Sequence, residues 1–126
     1  MNKGGGLIFA LQLGLLAAQA TPGPFMRHEF LTALHASGCA AADTGWEPLF
    51  LTLRGPQGLR AAAAAWRKRH SWGEYVFDWS WAEAYQRHGL SYFPKAVIAV
   101  PFTPVPGSRL LAVDAIWRKR LLAVAL

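Results

Sequence analysis

Cysteine is almost missing from this sequence. Cys39 is the only one in 126 residues, so no disulfide can form within the chain, and the paired Cys-x-x-Cys arrangement of structural zinc sites is excluded. With no activating group beside it in sequence, Cys39 reads as a spectator thiol rather than a nucleophile. The lack of paired cysteines suits a reducing compartment, and a cytoplasmic location is expected. Charge is also sparse, at 16% of residues. His70 and Glu74 lack a third ligand at recognisable spacing, so no metal is expected. No GxSxG elbow, no Ser-His-Asp spacing and no phosphate-binding P-loop occurs, which removes the common signatures of serine hydrolases and nucleotide phosphatases.

What the chain does have is apolar surface and positive charge. Hydrophobic residues make up 53%, the formal net charge is +6 and the isoelectric point is about 10.1. That composition folds as one domain rather than remaining disordered. The basic balance favours phosphate, nucleic acid or anionic lipid. Much of it lies in two identical runs, Trp66-Arg67-Lys68-Arg69 and Trp117-Arg118-Lys119-Arg120, which read either as solvated basic faces or as a phosphate-binding patch.

Residues 1–20, MNKGGGLIFALQLGLLAAQA, form an apolar leader. Lys3, the run from Leu7 to Leu16 and the small-x-small triplet Ala18-Gln19-Ala20 resemble a signal peptide, which would make the chain exported. The alternatives are a first strand or helix of the domain, or a start-site artefact. The run falls short of the roughly 20 apolar residues that span a bilayer.

Beyond the breaker Thr21-Pro22-Gly23-Pro24, spacings of three and four among Phe25, Met26, Phe30, Leu31 and Leu34 predict a helix ending near Gly38. Alternation over residues 47–54 predicts a strand, and Gly55-Pro56-Gln57-Gly58 a hairpin turn. The alanine run 61–65 favours helix by propensity, but the turn before it and the β-forming aromatics after it favour a long bent strand over residues 60–77, with a bulge at Gly73. Ser80 and Glu83 predict a capping box opening a helix that stops at Gly89. Residues 95–102 read as a buried strand, and 114–126 as a last helix with an apolar tail. The order of elements is α+β, or mixed α/β, with a mostly antiparallel central sheet flanked by helices.

The stretch over residues 70–89, HSWGEYVFDWSWAEAYQRHG, holds six aromatics, two histidines and three carboxylates. Together with the following YFPK and VPFTPVPGSRLL, it resembles the FemAB-like branch of the GNAT acyltransferase superfamily. The resemblance runs from about residue 22 to residue 126. It implies a partial GNAT-like fold, with residues 21–126 as the N-terminal part of a domain and the C-terminal half of the family fold missing. It also implies transfer of an acyl or aminoacyl group to an amine, with acyl-CoA as an implied donor and a small-molecule or peptide amine as acceptor. Such enzymes hold the pyrophosphate of acyl-CoA on a Q/R-x-x-G-x-G/A loop at a helix N-terminus. Gln86-Arg87-His88-Gly89-Leu90-Ser91 only begins to match, and at the wrong end of a helix. The donor motif is therefore absent, and the chain alone is expected to be inactive.

In an extended strand His70, Glu74 and Asp78 would share one face. They are the candidate catalytic residues, since deprotonating an acceptor amine needs a carboxylate or imidazole beside an apolar wall. The competing reading pairs the two carboxylates with cations and leaves His70 at a strand edge. The aromatics likewise read either as core or as a stacking platform, with core favoured. A non-enzymatic basic module that binds nucleic acid or an anionic surface is the alternative function.

Overall fold

The turn Gly55-Pro56-Gln57-Gly58 does close a hairpin. In the computed structural model, which describes residues 23–126, β2 (Leu51–Gly55) runs antiparallel to β3 (Gly58–Ala63) through it. Gly58 has φ +99°, a conformation that costs glycine little and other residues much. β6 (Leu110–Ala112) adds to the other edge of β3, completing an antiparallel sheet in the order β2-β3-β6. A second antiparallel sheet, β1-β4-β5, comprises β1 (Glu47–Pro48), β4 (Ala65–Lys68) and β5 (Lys95–Ile98). Three α-helices complete the described residues: α1 (His28–Ala36), α2 (Trp79–Arg87) and α3 (Ala115–Ala125). The fold is α+β.

Tertiary packing overrides the helical preference of alanine. Residues 61–65 pass from β3 to β4 with only Ala64 between the two strands, and all five are 2% exposed or less. Period-two alternation sends Ala62 and Ala64 toward Met26 and Leu31, on α1 and the 3-10 turn before it (Pro24–Met26). Ala61 and Ala63 face the opposite way, toward Leu121 of α3. The methyl groups of Ala61 and Ala63 let α3 lie close on that face, a spacing that larger residues would force open. Gly38 (φ +76°) follows α1 as expected, and the Asp114 carboxylate caps α3 by accepting from the Trp117 N–H at 2.9 Å.

Several expectations need correction. The strand over 47–54 is two strands, β1 and β2, interrupted at Leu49 and Phe50. The long strand over 60–77 ends at Lys68, because its partner β5 begins at Lys95 and the preceding Pro94 has no N–H to extend the ladder. Residues 69–78 form a loop, and Gly73 (φ +81°) lies in it rather than in a bulge. The strand over 95–102 ends at Ile98. α2 begins at Trp79, so Asp78 rather than Ser80 holds the N-cap position, and no side chain caps the helix. Glu83 pairs with Arg87 at 2.6 Å instead of closing a capping box. Gly89 (φ +68°) does follow the helix end. The apolar leader, residues 1–20, lies outside the described residues.

Candidate functional site

The register of β4 and β5 ends on an awkward pair: Lys68 sits opposite Lys95. Like charges directly across a ladder repel, and Lys68 is fully buried. The loop 69–78 returns to resolve this. It brings Ser71, Glu74 and Asp78 inward, with the side chains of Glu74 and Asp78 13% and 14% exposed. One buried and one largely buried ammonium group thus meet two carboxylates, and the ionised cluster carries no net charge.

Lys95 uses its three donors on these groups. Its Nζ reaches Glu74 Oε2 at 2.8 Å and Ser71 Oγ at 3.0 Å, and it also bonds Asp78. Asp78 further accepts from the Ser71 hydroxyl and, at 2.5 Å, from the Tyr92 hydroxyl. Burial alone would raise the pKa of Asp78. The donors Lys95, Ser71 and Tyr92 outweigh it and hold the carboxyl well below the usual range. The same hydrogen bond, joined by burial, pushes the Tyr92 phenol up to about 12.

Lys68 donates to the Trp72 carbonyl at 2.7 Å, lies 3.9 Å from Glu74 Oε1, and sits over the Trp46 ring at 3.8 Å. Burial pushes its pKa down. Glu74 opposes that shift and Lys95 adds to it. One polar atom of this cluster is left over: Glu74 Oε1 is buried and accepts no hydrogen bond. The Trp46 Nε1–H is also buried without an acceptor. Unsatisfied buried groups of this kind are few in folded proteins and call for a reason.

Both residues line a cleft of about 230 Å³ that also touches Tyr75, Val76, Val100 and Thr103. That volume suits a side chain or a short tail rather than a whole nucleotide cofactor. One wall is tightly set. A Cβ on Gly73 would lie 2.6 Å from the Phe102 ring and 2.8 Å from Trp46 Nε1. Phe102 itself has φ +59°, strained for a bulky residue. Arg109 donates to the carbonyls of Val105 and Gly107 and pins the proline-rich loop that forms the far side.

The structure therefore brings Glu74 and Asp78 together, through a folded loop rather than along a strand face. It does not bring His70 to them. The His70 ring packs on Gly45 and its Nδ1 accepts from the Trp72 N–H at 3.3 Å. Sequence reasoning missed Lys68, Ser71, Tyr92 and Lys95. The basic run at 66–69 concealed Lys68, whereas strand alternation was the signal that could have found it: Trp66 and Lys68 point in, Arg67 and Arg69 out. With Lys68 buried and Arg67 paired to Glu47 at 2.6 Å, only Arg69 of that run is left as an unburied cation outside this ion pair. Gln86-Arg87-His88-Gly89-Leu90-Ser91 lies at the C-terminal end of α2, where carbonyls rather than N–H groups are presented. The pyrophosphate of acyl-CoA does not fit there.

The expectation that the 70–89 aromatics form core is overturned. Trp72, Tyr75, Phe77, Trp79, Trp81 and Tyr85 are all exposed, and α2 has no buried residue. With Ser71, Glu74 and Asp78 held inward, the residues between them are turned to solvent. Among the described residues no group of three His, Cys, Asp or Glu could hold a metal, and no helix is long and apolar enough to cross a membrane.

An α+β domain with a charge-balanced cluster under a small cleft defines the class. The chain matches the FemAB-like family, described as peptidoglycan biosynthesis/recognition, over residues 12–125, and it belongs to that family. The match takes in part of the apolar leader as well as the described domain. No curated protein and no solved structure matches the chain.

Proposed function

We propose that the chain forms the acceptor side of a GNAT-type N-acyltransferase, which moves an acyl or aminoacyl group from a thioester or ester carrier to an amine. The carrying observation is the buried Glu74 Oε1, which has no donor although its residue lines the cleft. An amine entering the cleft supplies the missing hydrogen bond once the wall at residues 73–76 gives way. Its nitrogen attacks the carrier carbonyl carbon, the bond to the carrier sulfur or oxygen breaks, and the amine proton passes by way of Glu74 to the leaving group. Asp78 serves as the anchor that holds Lys95, and through it Glu74, in place. The family membership supports this reading, and peptidoglycan-type amines are the acceptors it suggests. No step is assigned to acyl-CoA.

The test is NMR-monitored titration of the full chain with a short peptide bearing a free lysine amine, comparing wild type with Glu74→Gln. Saturable shifts at Trp46 and Thr103, lost in the variant, are expected, without turnover of an added thioester. Equal binding by both proteins would sink the proposal.

A further inference from the structure

The loop 69–78 holds inward three polar residues and leaves large rings in water. Trp72 is 65% exposed, Phe77 53% and Trp79 63%. These rings are ordered against one another. Phe77 and Trp79 lie nearly parallel, at 21° with centroids 6.0 Å apart, and Trp72 stands across Trp79 at 84° and 6.4 Å. The result is an offset stack of two rings with a third ring upright against it. Its backbone is fixed from beneath, since Ser71 and Asp78 bracket the loop and both bond within the Lys95 cluster. Exposed apolar surface on this scale marks an interaction site.

The chemistry of the surroundings selects the occupant. Trp79, Glu83 and Arg87 recur every four residues on one stripe of α2, so the indole leads directly into an ion pair closed at 2.6 Å. A neutralised pair matches an uncharged ligand rich in hydroxyl groups and offers nothing extra to a phosphate backbone. Charged residues are also depleted from the centres of protein interfaces, which argues against a second copy of the chain. Tyr75 and Val76 belong to the same loop and line the cleft, so the platform continues into it.

We propose that Trp72, Phe77 and Trp79 form a saccharide platform, on which the C–H face of a pyranose ring in a β-linked amino-sugar strand stacks while Glu83 and Arg87 meet its hydroxyl groups. The inference extends the acceptor reading by placing a sugar beside the amine, but it requires no acyl transfer.

The experiment is titration of the full-length chain with chitohexaose, followed by tryptophan fluorescence and calorimetry at low and high salt. Wild type is expected to bind saturably and with little dependence on salt. Trp72→Ala and Trp79→Ala are each expected to weaken binding about tenfold. Phe77→Ala tests the same ring cluster through its third member, and Ile116→Ala, on exposed α3 surface, is expected to change nothing. Circular dichroism establishes that each variant is folded. Absence of saturable binding, or unchanged affinity in all three ring variants, overturns the proposal. So does a dimer in sedimentation that Trp79→Ala dissociates, which would make the patch a contact between copies. Equal amine binding by wild type and Glu74→Gln, with chitohexaose binding intact, would sink the acceptor reading alone.

Discussion

Glu74→Gln is the sharpest perturbation of the buried cluster, because it keeps the side chain's shape and removes one charge. In the native protein Glu74 lies 2.8 Å from the Lys95 Nζ and 3.9 Å from that of the fully buried Lys68. Without its charge, Lys68 faces Lys95 across the β4–β5 ladder with no carboxylate between them. Breaking a buried ion pair by removing one partner costs about 3–5 kcal/mol. Lys95 keeps Asp78, and Glu74 retains slight exposure, so the cost falls at or just below that range, roughly 2–3 kcal/mol. For a domain stable by about 5–15 kcal/mol that is a large fraction. With a urea slope of about 1–3 kcal/mol per M, the unfolding midpoint should fall by about 0.7–3 M. Equilibrium urea unfolding followed by tryptophan fluorescence reads this directly. Lys68→Met should rescue part of the loss when combined with Glu74→Gln, because it removes the charge that the first change orphaned. A midpoint within error of wild type for Glu74→Gln, or strict additivity in the double variant, would refute the reasoning.

Acid should act through Asp78: its folded pKa lies below the unfolded value, so the unfolded chain binds more protons as pH falls below about 4, and stability present at neutral pH should drain away in that window. Asp78→Asn should flatten this part of the pH–stability curve, measured by thermal unfolding. Tyrosinate absorbance should contain a component titrating near 12 from Tyr92, and Asp78→Asn should move it down toward 10, the value of a free phenol. Since the folded pKa is raised, the stability linked to Tyr92 is present below pH 10 and fades above it. Gly73→Ala should cost about 1–3 kcal/mol, since it combines a positive φ with a Cβ pressed on Phe102 and Trp46. Its near-ultraviolet circular dichroism should change as Trp46 is displaced.

The α+β class, the hairpin and α1 were legible because each rests on local chemistry, a Gly-Pro turn and apolar spacing of three and four, and α3 was read over its full length, with the Asp114 cap seen only in the structure. The alanine run was readable as strand only through its neighbours, since its own propensity points to helix. The site was half legible. Glu74 and Asp78 stood out by spacing, but the spacing implied a strand, whereas Pro94 ends the ladder and lets the chain fold back. Lys95 and Tyr92 lie more than a dozen residues from their partners, and no local pattern ties them to Asp78. The exposure of the aromatics follows from the same cause. Rings that alternate with polar residues face water once those polar residues are drawn to a buried charge.

Ala64 has a consequence for how the molecule opens. As the lone residue between β3 and β4, it threads one continuous chain through both sheets. Amide protons along residues 58–68 should therefore exchange as one cooperative unit, at rates near those of global unfolding. The loop that carries Glu74 has no ladder bonds of its own and can open alone. Hydrogen exchange would then separate a slow, shared scaffold from a fast rim, allowing the cleft to admit a ligand without loosening the strand that places Lys68 beneath it.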